Sequence, residues 1–166
     1  MTDIDLRIQT FAEAETSRLE MLRALNTEFQ AETSLLNPTQ WQTLTATSSY
    51  AVYVAPAAAL LIAFTSTADY DNPNFQWFVE RFDSFIYVDR IIVSAQAQGQ
   101  GLGKHLYTDL FGWARRAGLS RVCCEVNQQP PNPGSDAFHE RMGFLPAGQA
   151  RLEHNGKVVS YLTKLL

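Results

Sequence analysis

Ile4, Leu6 and Ile8 alternate with polar neighbours, which predicts a strand over residues 3–10. Leu19, Leu22, Leu25 or Asn26, and Phe29 recur at helical spacing and predict a helix from about Ala12 to Gln30. Asn37-Pro38 has the form of an N-cap followed by proline at the first helical position, opening a short helix through Leu44. Residues 50–55 and 58–65 are β-rich runs on either side of Pro56, as in a hairpin. Residues 84–93 read as a strand ending in Ile91-Ile92-Val93. Leu102, Leu106, Leu110 and Trp113 then predict a helix over 101–117, with Arg115 and Arg116 at its negative end and Gly118 as its stop. Val122, Cys124 and Val126 alternate with Arg121, Cys123 and Glu125, a strand over 121–127. Asn132-Pro133 opens a helix to Met142, stopped by Gly143, and residues 144–166 give two strands joined at Asn155-Gly156. Strand and helix alternate in mid-chain with hairpins on either side. The pattern predicts an α/β or α+β fold, a single domain over residues 1–166 around a mixed sheet.

One polar stretch interrupts this rhythm. Residues 67–74 are turn-rich and lead into the aromatic-dense Phe75-Gln76-Trp77-Phe78-Val79-Glu80-Arg81-Phe82. Two readings stand: a loop and short helix packed onto the core, or a wall facing a substrate.

A length of 166 residues suits one domain with a real core. Net charge is −4 and no basic stripe stands out, which argues against a nucleic-acid surface. Cys123 and Cys124 are adjacent, so a bridge between them is not expected, and they fit a reducing compartment. His105, His139 and His154 show no metal-ligand spacing with them, so no metal is expected. The acidic start, Met1-Thr2-Asp3-Ile4-Asp5, lacks the basic region and apolar core of a signal peptide. The longest apolar stretch, residues 51–64, is broken by Pro56 and is too short to span a bilayer. A cytoplasmic protein with no membrane partner is expected.

The candidate chemistry centres on Val93-Ser94-Ala95-Gln96-Ala97-Gln98-Gly99-Gln100-Gly101-Leu102-Gly103-Lys104, between the predicted strand and helix. Glycines there allow a tight turn and keep side chains away from a ligand. The amides of Gly99, Gly101, Leu102, Gly103 and Lys104 fall at or before the helix start, where unpaired N–H groups and the helix dipole favour phosphate. The dinucleotide fingerprint wants G-x-G-x-x-G, but this loop reads Gly99-x-Gly101-x-Gly103. The P-loop count also fails, with three residues between Gly99 and Gly103-Lys104, and His105 where Ser or Thr belongs.

Gln98-x-x-Gly101-x-Gly103 resembles the pyrophosphate loop of the GNAT N-acetyltransferases, in which Arg or Gln, two residues, Gly, one residue, and Gly or Ala separate a strand from a helix. A second block is similar to the family's Asn-x-x-Ala-x-x-Phe-Tyr-x-x-x-Gly-Phe: Asn132, Phe138, Gly143 and Phe144 match, Ser135 stands where alanine is usual, and His139 where many members carry tyrosine. The resemblance covers about Ile86 to Ala147 and looks like a bacterial subgroup with unassigned substrates.

The resemblance implies a mixed central sheet flanked by helices, with acetyl-coenzyme A between two splayed parallel strands, residues 84–93 and 121–127. Backbone groups of Ile91, Ile92 and Val93 would pair with the pantetheine arm. The loop from Gln98 through Gly99, Gln100, Gly101, Leu102 and Gly103 to Lys104 would hold the pyrophosphate. Asn127, Asn132 and Phe138 would line the arm, and residue 139 would lie near the thioester sulphur. The amine must lose a proton before attack, and the departing thiolate must be protonated or solvated. His139 is the candidate acid, against a reading as a helix-surface residue. Asp89 is the candidate base, working through water, against a structural ion pair with Arg90 or Arg81. Tyr87 is a third candidate. A covalent role for Cys123 or Cys124 is the weaker alternative to direct attack.

The expected activity is acetyl transfer to the amine of a small molecule, for which the acidic, aromatic segment Asp69 to Trp77 hints at a cation. The rival readings are a nucleotide-binding enzyme, against which the glycine counts speak, and a non-catalytic coenzyme A module. The chain is expected as a monomer or a homodimer.

Overall fold

Alternating and helical patterns become strands and helices nearly where expected in the computed structural model, which describes residues 5–166. The chain runs β1 (Ile8–Thr10), α1 (Thr16–Glu28), α2 (Pro38–Thr47), β2 (Tyr50–Val54), β3 (Ala59–Thr65), α3 (Pro73–Val79), β4 (Ile86–Val93), α4 (Leu102–Arg116), β5 (Arg121–Gln129), α5 (Pro133–Arg141), β6 (Leu145–Arg151) and β7 (Val158–Leu165). The strands form a seven-stranded sheet in the order β1-β2-β3-β4-β5-β7-β6. β4 and β5 are parallel through Ile86↔Val122 and Tyr87↔Cys123. The pairs β1–β2, β2–β3, β5–β7 and β6–β7 are antiparallel. This is the mixed α/β sheet that the pattern predicts.

The amino end differs. The strand predicted over 3–10 is confined to Ile8–Thr10, and residues 3 and 4 lie outside the described residues. The Arg7 amide and guanidinium both donate to the Asp5 carboxylate, a local bond that competes with strand pairing. The helix expected from Ala12 starts at Thr16, after a 3-10 turn at Phe11–Glu13 that turns Phe11 inward against Trp41 and Tyr53. α2 opens as predicted, with a full capping box: Asn37 accepts from the Gln40 amide and Gln40 accepts from the Asn37 amide.

The chain falls into two compact units. The first takes the chain up to Phe64 together with Val88–Leu110. Its core joins Leu22 and Leu25 of α1, Trp41 and Leu44 of α2, all of Ala59–Phe64, and Leu102, Leu106 and Leu110 of α4. The second takes Thr65–Tyr87 with Phe111–Leu166. Phe75 and Phe78 of α3, Phe85, Tyr87, Val122, Cys123, Phe144 and Tyr161 are its buried centre. Rings dominate: Phe75 meets Phe85 and Tyr87 edge-on at 5.9 and 5.7 Å, and Phe78 meets Tyr161 edge-on at 5.3 Å.

The aromatic segment therefore packs onto the core. Phe75 and Phe78 are buried. Trp77 lies between Tyr161, stacked at 4.1 Å, and the Arg81 guanidinium, 4.0 Å from the ring centroid. Gly148 of β6 runs so close that a Cβ there would stand 2.6 Å from Trp77 Cζ2.

Candidate cofactor loop and active-site residues

β4 ends at Val93, and the chain turns through a short 3-10 segment, Ala95–Ala97. The Ser94 amide donates to the Ala58 carbonyl at 2.8 Å, and the Ala97 amide to Ser94 O at 2.9 Å. Gln98 Nε2 donates to Val93 O at 3.4 Å and Gln100 Nε2 to Gln96 O at 3.3 Å, so both glutamines brace the turn. Gly99 and Gly101 have φ of +78° and +79°, and an added Cβ at either would meet nothing within 4 Å. Backbone conformation, rather than crowding, demands glycine at both.

The His105 amide donates to Gly101 O, so the amides of Leu102, Gly103 and Lys104 precede that helical bond. Leu102 is buried and anchors the helix start, while Gln98, Gly99, Gln100, Gly101 and Lys104 are exposed. First-turn amides at a helix start, beside an exposed loop with no side chain rising from its two left-handed glycines, fit a diphosphate. Gly103 lies inside the first turn of α4, and Ile92 points into the core while Ile91 and Val93 are half-buried.

Asp89 lies in the first unit. Its carboxylate accepts from Arg90 Nε at 2.7 Å, and both side chains are almost fully buried. Arg90 continues to Asn26 Oδ1 at 2.6 Å and Ser34 Oγ at 3.3 Å, and Asn26 Nδ2 donates to Ser34 O at 3.1 Å. This explains a buried asparagine on the apolar face of α1. Asp89 balances a buried cation, the ion pair with Arg90 that its sequence also allowed.

Tyr87 lies in the second unit, in a network that the sequence did not disclose. Its hydroxyl donates to Glu125 Oε2 at 2.7 Å. Asn74 Nδ2 donates to Glu125 Oε1 at 3.0 Å, and Tyr161 Oη donates to Asn74 Oδ1 at 2.9 Å. Glu125 and Tyr161 are directly opposed in the β5–β7 register. Burial, then the Glu125 charge, push the Tyr161 hydroxyl up to about 12, with Arg81 opposing, so Tyr161 remains a donor at neutral pH. Glu125 is half-buried. One signal could have found it: it is the single charged residue in Val122–Asn127.

His139 is not on the helix surface. It is buried, edge-on to Phe138 and Phe144 at 5.2 Å each. Burial lowers its pKa, opposed by the Ser135 carbonyl and Asp136. Nδ1 lies 2.8 Å from Ser135 O, which has no proton to give. Ser135 Oγ lies 3.3 Å from the same nitrogen, so Nδ1 faces a carbonyl that can only accept and a hydroxyl that can donate. Asn132 caps α5, accepting from the Ser135 amide at 3.3 Å, and its own amide donates to Asn127 O at 3.1 Å. Asn127 and Phe138 are half-buried. Cys123 is buried and its thiol pKa is pushed well up by desolvation, so it is no nucleophile at neutral pH.

Among the described residues, no helix is long and apolar enough to cross a membrane. No curated protein matches the chain. Solved structures do. NAA60 of Arabidopsis thaliana, in complex with acetyl-CoA, superposes with a TM-score of 0.73 at 11% identity, over 96% of this chain and 99% of that one. An acetyltransferase of the GNAT family from Streptococcus pneumoniae gives 0.68 at 17% identity, over 96% and 98%. The ribosomal-protein-S18-alanine N-acetyltransferase of Escherichia coli gives 0.64 at 16% identity, over 96% and 92%. These likenesses show the fold. The sequence profile of the Acetyltransferase (GNAT) family matches residues 18–144, well over half of the chain and the whole of the glycine loop. The chain belongs to the GNAT acetyltransferase family.

Proposed function

We propose that this protein is an acetyl-CoA-dependent N-acetyltransferase that moves acetyl directly to the primary amine of a small cationic molecule. The observation that carries this reading is the β4–α4 loop, with left-handed, exposed Gly99 and Gly101 at the start of α4, inside the family match. The loop amides and Lys104 hold the diphosphate, and backbone groups of Ile91–Val93 serve the pantetheine arm. Acetyl-CoA supplies the activated thioester. Glu125, rather than Asp89, takes the proton from the acceptor's ammonium, directly or through one water. The freed amine forms the C–N bond as the C–S bond breaks. A thiol pKa near 8.5 lets the thiolate depart with solvent as its proton source, so no acid from His139 is required.

The cationic acceptor is supported by exposed Asp69 and Asp71, just ahead of the Asn72 cap of α3, the helix that carries Asn74. Adjacent, buried Cys123 and Cys124 support a reducing compartment, the cytoplasm.

The test incubates the protein with acetyl-CoA and a pooled library of small amines and peptides, with mass readout. A small amine should gain acetyl. Glu125→Gln should lower kcat about a hundredfold to ten-thousandfold, the range for a lost general base. Its acetyl-CoA affinity by calorimetry should match the parent. Acetylation of peptide N-termini or lysines alone removes the small-molecule acceptor. Binding of acetyl-CoA without any turnover would leave a non-catalytic coenzyme A module.

A further inference from the structure

We infer that Asn74 is a positioning residue for Glu125, held in one orientation by Tyr161, and that with Tyr87 it fixes both oxygens of that carboxylate for proton transfer. The inference rests on the reading of Glu125 as the base.

The amide of Asn74 has a carbonyl end and an NH2 end. Tyr161 Oη lies 2.9 Å from Oδ1 and Glu125 Oε1 lies 3.0 Å from Nδ2. A carboxylate accepts only, so the NH2 end must face Glu125. The Tyr161 hydroxyl then finds the carbonyl and donates to it. A flipped amide would set its oxygen against a carboxylate oxygen. The orientation is thus over-determined, and the 2.7 Å bond from Tyr87 fixes the other carboxylate oxygen.

Each member sits on a different element: α3, β4, β5 and β7. Asn74, Tyr87 and Tyr161 are buried among rings, where an unsatisfied polar group is costly. Four polar side chains in an aromatic centre are a poor way to gain stability alone. They are a direct way to hold one carboxylate ionised and aimed.

The surroundings agree. Tyr87 faces Glu125 from β4 and Tyr161 from β7, and both are donors rather than charges. Arg81, beyond the Trp77 ring from Tyr161, is a cation whose field reaches the Tyr161 hydroxyl. Charge-assisted donors favour the ionised carboxylate, so removing one should raise its titration midpoint.

The experiment titrates the Glu125 carboxyl by 13C NMR in glutamate-labelled protein without acetyl-CoA, the signal assigned by its loss in Glu125→Gln. Asn74→Ala should raise the midpoint by about one pH unit, the scale of one hydrogen bond to a charged group. Tyr161→Phe keeps the ring and removes only the hydroxyl that pins the amide; it should move the midpoint the same way by less. An unchanged midpoint in both overturns the inference, as does an unchanged midpoint in Tyr161→Phe if Asn74→Ala does not fold. In acetyl transfer, the acid limb of kcat/KM should move by the same amount in each variant. If the NMR midpoint moves and the limb does not, the network stands and Glu125 is not the base.

Discussion

Gly101→Ala separates backbone strain from crowding in the cofactor loop. The native φ of +79° lies in the left-handed region, and the new methyl group would meet nothing within 4 Å. The penalty is thus conformational, about 1–2 kcal/mol for an L-residue held left-handed. The loop has two responses. It keeps its shape, and the fold loses that amount, at about 2–4 °C in Tm per kcal/mol for a chain of this size. Or it relaxes toward negative φ, stability is kept, and the amides of Leu102 to Lys104 lose their aim. Acetyl-CoA affinity then falls, about tenfold for each 1.4 kcal/mol. Urea unfolding and calorimetric titration with acetyl-CoA, read together, should recover at least 1 kcal/mol in total. Gly134→Ala is the control, because Gly134 sits in α5 with open space around it and no left-handed φ. It should be neutral or stabilising by up to about 1 kcal/mol. If Gly101→Ala matches the parent in both stability and affinity, the reasoning about this loop is wrong.

Three further outcomes follow from the packing. Asp89→Ala leaves Arg90 buried without its carboxylate and should cost about 3–5 kcal/mol in urea unfolding, whereas a surface ion pair would cost under about 1 kcal/mol. The His139 pKa is lowered below about 6.5, so the unfolded chain takes up the proton first: stability is complete above that pH and declines below it. Comparing the parent with His139→Phe at pH 7.5 and 5.5 should show a smaller acid loss in the variant; equal losses would place the titration elsewhere. Gly148→Ala drives a methyl group into Trp77 and should cost about 1–3 kcal/mol, read as a drop in Tm together with a change in tryptophan fluorescence.

The elements and the glycine loop were legible because they are local. Leu102, Leu106 and Leu110 mark one helical face, and Gln98-x-x-Gly101-x-Gly103 spans six consecutive residues. The resemblance marks Gly101 and Gly103; that the left-handed residues of the loop are Gly99 and Gly101 is a matter of backbone torsion that no pattern displays. Asp89 illustrates a different limit. Its alternatives, base or ion pair, differ only in where the neighbouring Arg90 side chain goes, and that depends on Asn26, 64 residues away.

Glu125 was visible as a lone charge between valines and cysteines, yet nothing nearby in sequence explains it. Its partners are Asn74, 51 residues away, and Tyr87, 38 residues away. Only the β5–β7 register puts Tyr161 opposite it. The aromatic segment changes meaning for the same reason. Phe75 and Phe78 fill the core, and by seating α3 they carry Asn74 to Glu125. The rings seat the helix, and the amide it presents, Asn74, donates to a carboxylate 51 residues away on another element.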